Sequence, residues 1–316
     1  MEIASTTSPS SSPLATRAPL VILNPTANQG RMQRYRALVR QRAAATGADY
    51  CETTQAGQAE RLAREAASQG RPIIVVGGDG SIHEVVNGIL SSGQRVPLGI
   101  IAAGSGNDFA YNTLNLPRHP EAAVERAFDG EPKPIDAGQA NERYFANSFS
   151  VGLDADIAAG ARQLKKIPFM TGMRLYYSST LRQLLFGYRR CPWLRFSLVP
   201  VDSAAPPAAT FQRYVLLAVT NGPTYGSGFR INPGASPDDG LLDLCAIRYA
   251  PLGRALRLLP VVKRGEHAAL PEVHFYRLQQ LTIESRLPLN VQMDGEVFHG
   301  QRYEIRVLPQ ALLVRR

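Results

Sequence analysis

Residues 72–88 read PIIVVGGDGSIHEVVNG, and the fold turns on how this stretch divides. An apolar, β-branched run enters Gly77-Gly78-Asp79-Gly80 and gives way to a helical pattern opening at Ser81, so a strand passes through a glycine turn directly into a helix. The same unit recurs on both sides. Upstream, PLVILN (Pro19–Asn24) is a strand stopped by Pro25, and RMQRYRALVRQRAAATG (Arg31–Gly47) is a helix with apolar residues at Met32, Tyr35, Leu38 and Val39 and its stop at Gly47. A short strand at ADYCET and a helix at QAERLAREAASQG lie between, and PLGIIAAG (Pro97–Gly104) is the next strand downstream. Strands alternating with helices predict a parallel sheet covered by helices on both faces.

After about Pro134 the rhythm changes. Runs such as RYFANSFSVGL, FQRYVLLAVTNG, GLLDLCAIRYA and PLNVQMDGEVF are strand-like and separated by Gly, Pro, Asn and Asp, which predicts a β-rich second domain with antiparallel pairing. Helical interruptions are expected around Met170–Leu185 and Leu252–Lys263. The first 17 residues are rich in Ser, Thr and Pro and predict a disordered tail, and PVDSAAPPAAT (Pro200–Thr210) predicts an exposed hairpin loop.

The composition excludes several classes. A chain of 316 residues, 44% hydrophobic and 19% charged, is neither fibrous nor wholly disordered and has the length of two domains. Cys51, Cys191 and Cys245 are odd in number, far apart and outside any zinc-ligand spacing, which points to a reducing cytoplasm without disulfides or structural zinc. No signal peptide opens the chain and no apolar run approaches the about 18 residues of a membrane span. Residues 1–160 carry 14 Lys+Arg against 16 Asp+Glu, whereas residues 161–316 carry 21 against 10. That basic second half suits an anionic membrane surface or nucleic acid, or equally serves solubility. Nucleic acid is the weakest of these, because no recognised DNA- or RNA-binding motif accompanies the charge. The segment Arg162–Arg190 mixes cations with Met, Leu, Phe and Tyr, as a membrane-interface helix would, and equally as a helix packed on the β domain with a solvated basic face.

Three loops leave parallel strands: NPTANQG (Asn24–Gly30), GGDGS (Gly77–Ser81) and GSGND (Gly104–Asp108). All lie at the carboxyl ends of the sheet, where open α/β folds bind ligands. Helix N-termini favour phosphate and glycine admits a ligand close to the backbone. Asn24, Thr26, Asp79, Ser81, Ser105, Asn107 and Asp108 can hold phosphate oxygens, ribose or magnesium. Taken singly, GGDG serves equally as a tight turn with Ser81 as a cap, and it matches neither GxxxxGK[ST] nor GxGxxG. Asp294-Gly295-Glu296 offers two carboxylates that share a face if the segment is extended, or a hairpin turn if it is not. Asp79, Ser81 and His83 do not make a hydrolase triad, since residues two apart at a helix start rarely converge. The histidines His119, His267, His274 and His299 are isolated. Asp154 and Asp156 follow a strand, with no role that spacing alone assigns.

The order NPTANQG, GGDGSIHEVVNG, AAGSGNDFA, FANSFSVGLDADI, PDDGLLD and MDGE resembles the diacylglycerol kinase catalytic-domain family, which includes soluble bacterial lipid kinases and the sphingosine and ceramide kinases. The resemblance runs from about residue 19 to the C-terminal end. It implies an N-terminal α/β domain with a parallel, Rossmann-like and NAD-kinase-like sheet, and a C-terminal β-sandwich, with ATP held between them. The implied division is a tail at 1–17, a nucleotide-binding domain at 18–134, a lipid-substrate domain at 135–305, and a segment 306–316 returning to the first domain.

By the same resemblance Asn24, Pro25 and Thr26 line the nucleotide with Thr53, Gly77, Gly78, Asp79, Gly80 and Ser81 wrap the phosphates, and Ser105 completes the pocket beside Asn107 and Asp108. Ser81 and Ser105 stand where Thr is usual and keep the hydroxyl. Glu296 is the favoured proton acceptor and Asp294 its close second. A structural Mg2+ is implied at Asp239 with the carbonyls of Ser236 and Leu241, and a second Mg2+ arrives with ATP. The implied activity is transfer of the γ-phosphate of ATP to the hydroxyl of a diacylglycerol-like lipid, by a cytoplasmic protein peripheral to the inner membrane surface. His83 is a residue shared with sphingosine-kinase-like members and leaves a sphingoid acceptor open. A soluble acceptor, a non-catalytic lipid-binding role and a homodimer also stay open.

Overall fold

The computed structural model of the chain describes residues 17–27, 32–164, 178–180, 182–183, 187–199, 201 and 210–316. The expected tail, the expected hairpin loop at 200–210 and most of the segment Arg162–Arg190 lie outside the described residues.

The first half alternates as its sequence pattern requires: β1 (Leu20–Leu23), α1 (Gln33–Thr46), β2 (Asp49–Glu52), α2 (Gln58–Ser68), β3 (Ile73–Gly77), α3 (Asp79–Ser91), β4 (Pro97–Ala102) and α4 (Pro120–Asp129). The strands lie in the order β2-β1-β3-β4 and every neighbouring pair is parallel. Side chains alternate across a strand, so each apolar run feeds two cores. Ile22, Val75 and Ile100 pack with α2 and α3 on one face. Val21, Leu23, Ile74, Val76 and Ile101 pack with α1 and α4 on the other. Helix α1 stops where expected, at Gly47, whose φ of 67° is the left-handed conformation that glycine adopts without strain. Helix α3 opens at Asp79 with Gly78 as its N-cap, two residues before the expected start, and Ser81 is not a cap. The Ser81 hydroxyl instead accepts a hydrogen bond from Asn24 Nδ2 at 3.0 Å.

The second half comprises β5 (Pro132–Ala140), β6 (Arg143–Phe145), β7 (Ser148–Gly152), α5 (Leu153–Leu164), β8 (Trp193–Leu198), β9 (Gln212–Thr220), β10 (Leu242–Arg248), α6 (Leu252–Arg264), β11 (Val273–Leu278), β12 (Gln280–Met293) and β13 (Glu296–Arg315). Its strands pair antiparallel with one another. The layer β6-β5-β13-β12-β8 faces the layer β11-β10-β9-β7 as a β-sandwich, and β12 crosses from one to the other. Inward residues of both layers form one core, with Phe149 and Val219 from one side meeting Ile283, Tyr303 and Ile305 from the other.

Strand pairing and a helix side chain help to join the halves. Strand β13 runs antiparallel to β5, and its far end, Leu313 and Val314, pairs in parallel with Pro97 and Leu98 of β4. Asn87 on α3 acts as a substitute strand partner, donating to Tyr144 O at 2.9 Å and accepting from Tyr144 N at 3.0 Å. The next residue, Gly88, is where α3 crosses α2, and a β-carbon there would lie 2.3 Å from Glu60 O. The NG that ends the helix motif is thus a docking and crossing device. Among the described residues no helix is long and apolar enough to cross a membrane.

Candidate active site

The strand order reverses direction between β1 and β3, so the loops leaving these strands diverge around a crevice. Asn24, Pro25 and Thr26 leave β1, and Asn24 Oδ1 accepts from both the N–H and the hydroxyl of Thr26 while its Nδ2 crosses the reversal to Ser81. Thr53 directly follows β2, its N–H donating to Leu23 O at 2.9 Å. Gly77 closes β3, and a β-carbon on it would strike the Ser81 side chain at 2.6 Å.

The loops after β3 and β4 approach closely because glycines stand where they meet. A β-carbon on Gly104 would come within 2.6 Å of the Gly78 α-carbon, and one on Gly106 within 2.8 Å of Asp79 Oδ2. Asn107, at φ 60°, closes the second loop by accepting from Gly104 N and donating to Gly104 O, and its own N–H donates to Asp79 Oδ2 at 3.0 Å. Ser105 and Gly106 stay exposed at the tip. Asp108 turns toward the second domain, where its Oδ2 accepts from Ser227 N at 2.7 Å and Gly228 N at 3.2 Å.

The sandwich contributes the opposite wall. Asp294 and Gly295 form the tight turn of the β12–β13 hairpin, at φ 49° and 87°. The extended arrangement that would set Asp294 and Glu296 on one face is therefore replaced by the turn that Asp-Gly favours. Asp294 is buried and fully engaged: Oδ1 accepts from Asn147 N and Ser148 N, both at 2.9 Å, Oδ2 accepts from Ala146 N at 2.7 Å, and His83 Nδ1 lies 3.4 Å from Oδ2. Glu296 leans over the first turn of α3, where a β-carbon on Gly80 would meet its Oε1 at 3.0 Å. The hairpin tip and the GGDG turn therefore meet across the domain boundary.

Between these walls lies a cleft of about 180 Å³, lined by Asp79, Asp108, Asn147, Tyr225, Gln292 and Asp294 among others. Asp154, in the first turn of α5, also faces it and takes the hydroxyls of Ser150 and of Tyr225, the latter at 2.9 Å. Asp156 is drawn off to Asn290 at 2.9 Å. Burial, with the fields of Asp108 and Asp294 added, pushes the Asp79 carboxyl up to about 6 despite the N–H of Asn107. Burial likewise raises Asp154.

The raised Asp79 carries a pH signature. The folded chain holds the Asp79 proton from its ordinary 3.8 up to about 6, whereas the unfolded chain releases it earlier, so stability falls as pH rises through that window. Asp79→Asn is expected to stabilise the chain by about 1–2 kcal/mol at pH 7.5, allowing for solvent screening, and to make no difference below pH 4. Thermal denaturation across pH 3.5–8 checks this, and a variant no more stable at pH 7.5 than the parent would refute it.

The residues expected to hold a structural magnesium sit apart from the cleft, in the loop before β10. Asp239 Oδ1 accepts from Leu241 N at 3.1 Å and Oδ2 pairs with Arg277. Asp238 takes the Ser236 hydroxyl at 2.8 Å and Arg316 at 2.6 Å, and Asp136 braces the loop through Gly240 N. A guanidinium thus occupies the carboxylate that the metal would need, and the residues as arranged do not fit that ion. EDTA is expected to leave the melting temperature of the parent unchanged, while Arg277→Ala lowers it by about 2 °C and makes it rise on adding magnesium. A fall of the parent on EDTA would show that Arg277 yields to a metal.

Gln292, Asn147, Tyr225 and Ser227 line the cleft without having been legible as site residues. Asn147 lies within FANSFSVGLD and Gln292 directly precedes MDGE, whereas Tyr225 and Ser227 stand in TNGPTYGSG, which neither motif reaches.

A nucleotide-type crevice in an α/β domain, closed by an acidic hairpin from a β-sandwich, defines a two-domain phosphotransferase. Residues 18–140 match the family described as "Diacylglycerol kinase catalytic domain", and residues 147–316 match the "YegS C-terminal NAD kinase beta sandwich-like domain". A diacylglycerol kinase of Bacillus subtilis is 30% identical over 281 residues, 87% of this chain and 88% of that one. A diacylglycerol kinase of Mycobacterium tuberculosis is 31% identical over 268 residues, 83% of this chain and 82% of that one. A crystal structure of a Bacillus anthracis diacylglycerol kinase shares the fold at TM-score 0.70 and 22% identity, covering 95% of this chain and 97% of that one. The chain belongs to the diacylglycerol kinase catalytic-domain family and is a lipid kinase.

Proposed function

We propose that the chain transfers the γ-phosphate of ATP to the hydroxyl of a diacylglycerol-like lipid at a membrane surface. The observation that carries this reading is the meeting of Glu296 with the first turn of α3, which puts a carboxylate of one domain beside the phosphate-type turn of the other. The α/β unit at 18–134 is taken as a Rossmann-like, NAD-kinase-like nucleotide domain, in keeping with its four parallel strands. Residues 135–305 are taken as the lipid-substrate domain, and 306–316 as the segment that rejoins the first sheet.

In this reading Asn24, Pro25, Thr26 and Thr53 border the nucleotide, Gly77–Ser81 offer backbone N–H groups to the phosphates, and Ser105 and Asn107 shape the second loop. Four carboxylates, Asp79, Asp108, Asp154 and Asp294, line the cleft, a donor set of hard oxygens that suits magnesium. Among the described residues no three His, Cys, Asp or Glu side chains enclose an ion, so magnesium would be held by Asp79 together with phosphate oxygens and water. Bound there, it supplies neutralisation of the γ-phosphate charge. Asp294 holds the Ala146–Ser148 backbone in place, and Glu296 takes the proton of the acceptor hydroxyl as its oxygen bonds to phosphorus and ADP departs.

The test is label transfer from γ-labelled ATP with magnesium to a panel of diacylglycerol, ceramide and sphingoid bases in mixed micelles. Label in the organic phase names the acceptor. Label confined to aqueous products, with nucleotide binding intact, would replace this reading with a soluble acceptor or a non-catalytic role.

A further inference from the structure

We propose that the edge of the sandwich formed by Trp193, Phe211, Arg286 and Leu287 is the surface by which the protein seats itself on an anionic lipid bilayer. Strand β12 loses register with β13 between Glu284 and Leu289, and the intervening residues bulge outward. Leu287 at the tip is 75% exposed and Trp193, beside it on β8, is 45% exposed. These are not slack positions. The Ser285 hydroxyl donates to Leu287 O at 2.6 Å, and Gln301 Nε2 donates to Ser285 O and Arg286 O at 3.1 and 3.2 Å. The bulge is therefore braced from the neighbouring strand so that a leucine projects into water.

The surroundings say what would cover it. Arg286 stacks over both Trp193 and Phe211, at 5.1 and 5.3 Å from the ring centres, and Arg195 stacks over Phe211 at 5.0 Å. Among the described residues Arg286 has no carboxylate in ion-pair contact. Arg213, paired with Trp193 across the strands, donates to Arg189 O, and Arg189 and Arg190 are exposed. Glu284, the acid on this edge among the described residues, is consumed by Arg195 and Arg302. A projecting aliphatic side chain, an indole and guanidinium groups such as Arg286 that meet no carboxylate among the described residues match the three depths of a bilayer face: acyl chains, interface and phosphates. A second copy of this edge would set like charges against each other, so charge complementarity favours anionic lipid.

The geometry also serves the cleft. From Leu287 to Asp294 strand β12 spans seven residues, about 23 Å, so the seat lies one extended strand away from the proposed reaction centre. The inference rests on the lipid-kinase reading for this connection, whereas its test does not require catalysis.

Trp193 is the only tryptophan in the chain, so the unmodified protein reports directly. On adding vesicles of phosphatidylcholine with 30% phosphatidylglycerol, its emission is expected to shift to shorter wavelength and to be quenched by brominated acyl chains, with little change on pure phosphatidylcholine. Arg286→Glu is expected to weaken partitioning about 25-fold, two charge units at about fivefold each. Leu287→Glu is expected to abolish the shift, and both variants keep the parent's melting temperature and its turnover of a short-chain acceptor dispersed below its micelle concentration. An unchanged emission, or parental vesicle binding by both variants, would overturn the proposal. So would a parent that sediments as a dimer which Leu287→Glu dissociates while vesicle binding persists. Vesicle binding through this edge without phosphorylation of any lipid would uphold the seat and sink the lipid-kinase reading instead.

Discussion

Glu296→Gln is expected to lower kcat on the preferred lipid by about 10²–10⁴-fold while leaving the melting temperature and ATP affinity at parental values. The expectation follows from where the side chain stands. Glu296 begins β13, half-buried at the domain boundary, with Oε1 over Gly80 and thus beside the turn that is taken to cradle phosphate. A glutamine keeps shape and hydrogen-bonding reach but cannot accept the proton of an alcohol. Label-transfer rates, with equilibrium nucleotide binding run alongside, check it. A loss of less than tenfold would move the proton to another group, and Asp154, whose carboxyl is raised by burial and faces the same cleft, is where it would be sought.

Asp294→Asn is expected to behave differently, losing stability and activity together. The Asp294 carboxylate receives three backbone N–H groups, from Ala146, Asn147 and Ser148, on its two oxygens. An amide has one oxygen, and its NH2 would face a donor, leaving at least one buried N–H unpaired. Such a loss in a charge-assisted network costs about 2–4 kcal/mol, which for a chain of this size lowers the melting temperature by about 3–6 °C. The Ala146–Ser148 backbone would also relax from the cleft wall, so kcat falls with it. A variant with the parent's melting temperature but no activity would instead make Asp294 a direct participant in proton transfer.

The contrast between these two carboxylates marks how far the sequence could be read. The β-branched runs at Ile22, Val75 and Ile100 announced the strands, and the glycines between strand and helix announced the loops, because both signals are local. The partners of Asp294 are not local. Its neighbours Gly295 and Glu296 suggested a catalytic pair, whereas its partners lie some 146–148 residues earlier in the chain and nothing in MDGE encodes them. The same distance hid the bonds of Asp108 to Ser227 and Gly228 and of Asp154 to Tyr225. The partner of Asp239 was hidden in the same way, since Arg277 lies on another strand and nothing in PDDGLLD encodes it. The helix start at Asp79 was displaced by a smaller effect: Gly78, in an extended conformation, could cap where only a hydroxyl was looked for.

The long strand β13 has a consequence for how the protein is made. Pro97 and Leu98 of β4 leave the ribosome early, yet the partners that cover their outer edge are Leu313 and Val314. At about 5–20 residues per second the first sheet waits on the order of 10–40 s with one side open, a bare row of backbone donors and acceptors that any other nascent strand could copy. Newly made chains are thus at risk of sticking to one another until β13 has emerged, and a product cut short of Leu313 would carry that open edge permanently.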